Sequence, residues 1–185
     1  MPCRKTPPGF DLPVSARSGG REFTRVASIG WAGHMATITP FLWFDTQAEE
    51  AMNFYVSIFK NARALSAQKM GGQVFAVEFE LEGQKFMGMN AGPQHKFNES
   101  ISMFVSLDSQ AEVDELWTKL LADGGREDQC GWLKDKFGLS WQIIPKALPR
   151  LLRDPNPKKA QAAMHAMLGM KKIIVADLEK AAASA

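Results

Sequence analysis

The sequence predicts an α+β fold built from a duplicated β-α-β-β-β unit followed by helices, and three observations predict it. Phe44-Asp45-Thr46-Gln47-Ala48-Glu49 is echoed 63 positions later by Leu107-Asp108-Ser109-Gln110-Ala111-Glu112. Each echo stands between a short strand-like run and an amphipathic helical stretch. The closing strands also match, Gly83-Gln84-Lys85-Phe86-Met87 with Gly138-Leu139-Ser140-Trp141-Gln142, at an offset of 55. Self-similarity at a nearly fixed spacing marks an internal repeat, and neither copy buries its sheet alone.

Residues 1–36 read as a disordered leader or an extended start, because Pro2, Pro7, Pro8, Pro13 and several glycines interrupt every apolar period. The duplicated region spans 37–145, with units at about 37–90 and 101–145. The first unit opens with a strand over Ile38–Phe44. Thr46 with Glu49, and Ser109 with Glu112, have the capping-box spacing in which hydroxyl and carboxylate satisfy the free amides of a helix start. The first helix buries Ala48, Ala51, Met52, Tyr55, Ile58 and Phe59 at helical spacing. Strands follow at Leu65–Met70, Val74–Leu81 and Gln84–Met89, with turns at Gly71-Gly72 and Glu82-Gly83. The second unit repeats the order. Its strand covers Ile101–Leu107, and its helix buries Val113, Leu116, Trp117, Leu120 and Leu121 and stops at Gly124-Gly125. Strands at Arg126–Gln129, Trp132–Lys136 and Ser140–Pro145 complete it. Residues 146–185 form a helical extension: Ala147–Arg153, a helix opened by Asn156 and Pro157 and closed by Gly169, and Val175–Ala183.

Composition narrows the function. The chain has 185 residues, 45% hydrophobic and 23% charged, with a formal charge of only +2. That sum hides a split: the leader carries +3, the extension +5 and the duplicated region −6. Mild basicity confined to the ends gives no footprint for a nucleic-acid partner, and the split favours docking of the extension on the duplicated region of the same or a neighbouring subunit. No apolar run reaches the roughly 18–20 residues of a membrane-spanning helix, so no membrane partner is expected. Two cysteines, Cys3 and Cys130, point to a reduced, cytoplasmic chain and are too few for a thiolate zinc cage. Ten Met and twelve Phe against one Tyr indicate a core or cavity lined by soft and aromatic side chains.

A duplicated β-α-β-β-β unit is similar to the vicinal oxygen chelate superfamily of glyoxalases, bleomycin-resistance proteins and extradiol dioxygenases. Ile38-Thr39-Pro40-Phe41-Leu42-Trp43-Phe44-Asp45, Glu50-Ala51 with Phe54-Tyr55, Lys96-Phe97-Asn98-Glu99 and Gln129-Cys130-Gly131-Trp132-Leu133-Lys134-Asp135 resemble its PhnB-like branch, labelled 3-demethylubiquinone-9 3-methyltransferase. The resemblance extends over about 36–183. It implies curved mixed sheets around a cavity and association of two chains as a homodimer.

The label's methyl transfer finds no support in the residues. S-adenosylmethionine enzymes of the doubly wound type use a glycine-rich turn from strand to helix, and here each Gly-Gly pair lies between strands or after a helix. Metal-dependent members of the superfamily hold their ion through the first and last strands of each unit. Alignment places Ile38, Met87, Ile101 and Gln142 there, a set without charged oxygen or imidazole donors, so no metal is expected. His34, His95 and His165 read as surface histidines, Glu78, Glu80 and Glu82 as a solvated strand face, and Cys130 has no base at any informative spacing.

What remains is an apolar pocket with polar handles. Trp43, Phe97, Trp132 and Trp141 would supply its walls, and Asn90, Asn98, Lys134 and Gln142 its hydrogen bonds. The segment Gly88–Ser100, at the junction of the repeats, would form its mouth. The expected function is metal-independent binding of a small molecule without a cofactor. The alternative is an enzyme acting on a small aromatic or quinone-like substrate.

Overall fold

The computed structural model describes residues 36–185; the leader expected over 1–36 lies, but for its last residue, outside them. The first half runs β1 (Phe41–Phe44), α1 (Ala48–Ile58), β2 (Ala62–Met70), β3 (Gln73–Leu81), β4 (Gln84–Asn90). The second runs β5 (Met103–Leu107), α2 (Gln110–Leu121), β6 (Arg126–Glu127), β7 (Trp132–Lys134), β8 (Ser140–Pro145). Helices α3 (Ala147–Leu152), α4 (Pro157–Leu168) and α5 (Val175–Ala183) follow. Each half forms a mixed four-stranded sheet of the same order, β1-β4-β3-β2 and β5-β8-β7-β6, in which only the first and last strands are parallel. The two sheets stay separate and do not close into a barrel.

Both opening strands are shorter than expected. Ile38 is 92% exposed and Ile101 69%, and pairing starts only where Met87 donates to the Pro40 carbonyl. β7 ends at Lys134 because the next residues turn around a carboxylate: Asp135 Oδ1 accepts from the amides of Phe137 and Leu139.

The period of two assigns each strand residue a face. In the first sheet Leu42, Phe44, Val77, Phe79, Leu81 and Phe86 are buried with Ala48, Ala51, Met52 and Tyr55 of α1. In the second, Leu133, Trp141 and Ile143 are buried with Val113, Leu116, Trp117 and Leu120 of α2. One hydrophobic cluster unites the halves, and α1 is the joint. The Tyr55 ring lies 5.9 Å from Phe79 and 5.5 Å from Trp141, and Phe59 stacks on Trp141 at 5.5 Å. Each such side chain contributes about 1.5–3 kcal/mol on burial.

The helix starts differ. Ser109 and Glu112 form the expected capping box on α2. α1 forms none: its N-cap is Gln47, one residue beyond Thr46, and no side chain of its own caps it. That shift puts Glu50 rather than Glu49 at the third helical position, and Glu50 pairs with Lys136 at 2.8 Å. Asn90 at the end of β4 takes over, its Oδ1 accepting from the Ala48 amide at 2.8 Å. α2 ends as expected, with Asp123 and Gly124 left-handed and Gly125 leaving no room for a Cβ, which would lie 2.5 Å from Leu121 Cα.

The extension docks on the second half. Cys130 and Gly131 donate to the carbonyls of Met170 and Lys171, both at 2.7 Å. The Gln110 amide brackets the next turn, donating to Ile173 O and accepting from the Val175 amide. Ile173 and Leu178 are fully buried with Ile144 and Leu148. The charge split reappears in pairs Lys146–Asp108, Lys171–Glu127 and Lys172–Asp114. Such exposed pairs contribute about 0–1 kcal/mol each, so the apolar cluster dominates the docking.

Candidate functional site

The carbonyls of Phe44 and Asp45, where β1 ends, accept from the amides of Ala91 and Gly92. This zips the start of the crossover to the end of β1 and carries Pro93–Phe97 over it. The turn needs φ +87 at Gly92, a conformation that suits glycine. Trp43 fastens the arrangement, its indole N–H donating to Gly92 O at 2.8 Å while its ring meets His95 at 4.8 Å, nearly perpendicular. Phe97 packs against Phe44 at 5.3 Å, and Phe137 of the β7–β8 turn reaches Phe44 at 6.1 Å.

Between these groups lies a cavity of about 320 Å³ with aromatic walls from Trp43, Phe44, Phe97 and Phe137. Asp45, Gln47, His95, Lys96 and Lys134 give it polar groups. Lys134 is largely buried and pairs with Glu99 at 2.7 Å, and that ammonium holds the Glu99 carboxyl below its usual range. Of the eight residues expected to bind a ligand, Trp43, Phe97 and Lys134 line this cavity.

The other five lie elsewhere or are held within the fold. Asn90 caps α1 and donates through Nδ2 to Val74 O at 2.9 Å. Asn98 accepts from the Ser100 amide within its own turn. Trp141 is 2% exposed and donates to Asp135 Oδ2 at 2.8 Å. Trp132 and Gln142 are cross-strand neighbours on the outer face of the second sheet, where Gln142 donates to Ser102 Oγ.

The register sharpens the metal question. Phe41 lies beside Met87 and Phe104 beside Gln142, so the first-strand positions facing the last strands are Phe41 and Phe104 rather than Ile38 and Ile101. Two phenylalanines, a methionine and one amide do not make a divalent-ion site. Among the described residues no three His, Cys, Asp or Glu side chains gather as metal donors. Glu80 of the acidic strand pairs with Arg63, and Glu82 leaves that face to accept from the amides of Lys60 and Asn61.

One group escaped the sequence reading. Asp135 is 3% exposed and accepts four hydrogen bonds, from Tyr55 Oη, Trp141 Nε1 and the amides of Phe137 and Leu139. Burial pushes its carboxyl above the usual range against the pull of those donors, and burial with the Asp135 charge raises Tyr55 well above 10. The available signal was the chain's single tyrosine, set among phenylalanines. Asp135 holds the turn that presents Lys134 and Phe137 to the cavity.

The sequence model described as 3-demethylubiquinone-9 3-methyltransferase matches residues 36–144. The match stops before α3, whereas the resemblance expected from the sequence extends to about residue 183. No curated protein matches the chain. Among solved structures, a PhnB protein from Bacillus cereus is 33% identical with a TM-score of 0.55, covering 60% of this chain and 99% of that one. The manganese- and sulfate-bound fosfomycin-resistance protein FosX of Listeria monocytogenes is 16% identical with a TM-score of 0.47, covering 64% of this chain and 96% of that one. A glyoxylase/bleomycin resistance protein/dioxygenase domain from Frankia sp. EAN1pec is 12% identical with a TM-score of 0.43, covering 60% of this chain and 92% of that one. With more than half of its length matched, the chain belongs to the 3-demethylubiquinone-9 3-methyltransferase family.

Proposed function

We propose that this protein binds a small ring-bearing molecule without a metal centre, and that the cavity between Trp43, Phe97, Phe137 and Lys134 is where it binds. The observation that carries this reading is the pairing of aromatic walls with a largely buried lysine, anchored on both sides by the zipped crossover and the Asp135 turn. About 320 Å³ is at the lower end for ligand pockets, which fits a single-ring compound. Flat rings find offset or edge-on partners in Trp43 and the phenylalanines, and the Lys134 ammonium retains N–H donors beyond the one facing Glu99.

The donor-poor strand positions Phe41, Met87, Phe104 and Gln142 support the metal-free reading. The homodimer is proposed on the outer sheet faces, where Phe41 is 52% exposed, Phe75 40% and Phe104 60%, because a second chain would cover them. We assign the protein to the cytoplasm because its two cysteines, Cys3 and Cys130, are too few for the disulfide framework of an extracellular domain. Among the described residues no helix is long and apolar enough to cross a membrane.

Purified protein is analysed for bound metal, then screened against small aromatic compounds by thermal shift. The expected result is substoichiometric metal and a Tm increase for ring compounds that is lost in Trp43→Ala and Lys134→Ala, since a ligand stabilises the fold in proportion to its occupancy. Stoichiometric zinc, nickel, iron or manganese overturns the metal-free reading. Micromolar binding of S-adenosylmethionine overturns the objection to methyl transfer.

A further inference from the structure

A second opening is larger than the cavity above. On the helix-covered side, where the C-terminal end of α1 approaches β5 and α2, a cleft of about 720 Å³ separates the halves, more than twice the volume of the Trp43 cavity. We propose that this cleft is a second ligand site and that it takes a neutral, flat aromatic molecule.

Its inner wall is the hydrophobic core itself. Ile58, Phe59, Phe86, Leu116 and Trp141 all line it and belong to, or pack against, the central cluster. Phe59 stacks on Trp141 with 29° between the rings, and Phe86 lies nearly parallel to Phe79 at 5.3 Å. The apolar surface left for a planar ring to cover is on the half-buried Phe59, Met103, Val105 and Leu107, and covering it gains about 25 cal/mol per Å².

The rim chooses the ligand's charge. It carries Lys60, Lys119, Glu82, Glu112 and Glu115, and the carboxylates are all engaged. Glu115 pairs with Lys119 at 2.7 Å, Glu112 completes the α2 capping box with Lys60 at 3.9 Å, and Glu82 accepts from Asn61 Nδ2 and two amides. A cation finds no free carboxylate, and an anion meets three acids against two bases. A neutral molecule disturbs none of these pairs.

The polar contact comes from β5. Among the described residues this strand is the edge of its sheet, bonded to β8 and, through the Leu107 carbonyl, to the Lys146 amide, and Ser102–Leu107 run along the cleft. The backbone groups on its open side are available to a ring carbonyl or hydroxyl, a use of an edge that would otherwise invite another chain.

The test titrates the neutral dye N-phenylnaphthylamine into the intact protein and follows its fluorescence beside the anionic anilinonaphthalene sulfonate. The neutral dye is expected to bind one to one and at least about tenfold more tightly than the anionic one, equivalent to about 1.4 kcal/mol. Ser106→Trp and Glu115→Trp place a bulky ring in the cleft from exposed positions. Each is expected to weaken neutral-dye binding about tenfold or more while circular dichroism and Tm stay unchanged. The two filling variants keep the Tm increase given by ring compounds in the Trp43 cavity, so failure here is separate from failure of the proposed function. The inference is overturned if both filling variants bind the dye normally, if the anionic dye binds as tightly, or if binding disappears as protein concentration rises and copies close the cleft on one another.

Discussion

The Tyr55 hydroxyl donates to Asp135 Oδ2 at 2.8 Å across eighty residues of sequence, and this contact joins the helix of the first half to a turn of the second. Both groups are buried within an aromatic cluster, with the Tyr55 ring 5.9 Å from Phe137 and 5.5 Å from Trp141. A bond to an ionised acceptor contributes about 1.5–3 kcal/mol, more than one between neutral groups. Tyr55→Phe is therefore expected to lower stability by about 1.5–3 kcal/mol in urea denaturation, with the slope unchanged.

Asp135 makes stability depend on pH in a defined direction. Its carboxyl is raised mainly by burial, so the folded chain holds the proton more tightly than the unfolded chain does. The stability linked to that proton is present in full below the ordinary carboxylate value of about 3.9 and is lost as pH rises through the raised value. Relative to Asp135→Asn, the wild type should thus lose stability as pH climbs from about 4 and become flat above the raised value. Paired urea midpoints across pH check this, and a difference independent of pH would contradict it.

The helix caps give a second comparison. Removing a side-chain cap costs about 0.5–2 kcal/mol. Ser109→Ala and Asn90→Ala should each lose stability in that range, while Thr46→Ala, whose hydroxyl caps nothing, should stay within about 0.5 kcal/mol. Thermal unfolding of the three variants distinguishes them.

At Gly131 a single methyl group matters. Its φ is +83, and a Cβ there would lie 2.7 Å from Ile144 Cδ1 and 3.1 Å from Ile173 Cγ1. Left-handed strain of about 1–2 kcal/mol adds to overpacking of about 1–3, so Gly131→Ala should cost about 2–5 kcal/mol. The damage should show first as faster amide exchange at Cys130 and Gly131, whose N–H groups hold the extension.

These residues also explain what could be read in advance. The strand and helix order was legible because period and turn chemistry are local: Asn156 with Pro157, Gly169 and the Ser109 box all stand where spacing put them. The failure at Thr46 has a tertiary cause, since Asn90 occupies the cap from another strand. The site was less legible for the same reason. Trp43, Phe97 and Lys134 converge because backbone bonds zip the crossover to β1, whereas Asn90, Asn98 and Trp141 carry the same chemistry but spend their hydrogen bonds on the chain itself. Composition cannot tell a polar group facing a cavity from one satisfied by a distant amide. Asp135 was missed because its partners, Tyr55 and Trp141, come together only after both halves have packed.

The unequal caps make the two repeats different in time as well as in detail. α2 starts on a signal contained within five residues, Asp108–Glu112, so its first turn can form before any sheet exists. The start of α1 waits for Asn90, 42 residues downstream, and closing that loop carries an entropic cost before the cap returns anything. The second repeat is therefore the natural nucleus and the first condenses upon it. In kinetic terms, Ser109→Ala should slow folding, while Asn90→Ala should mainly speed unfolding.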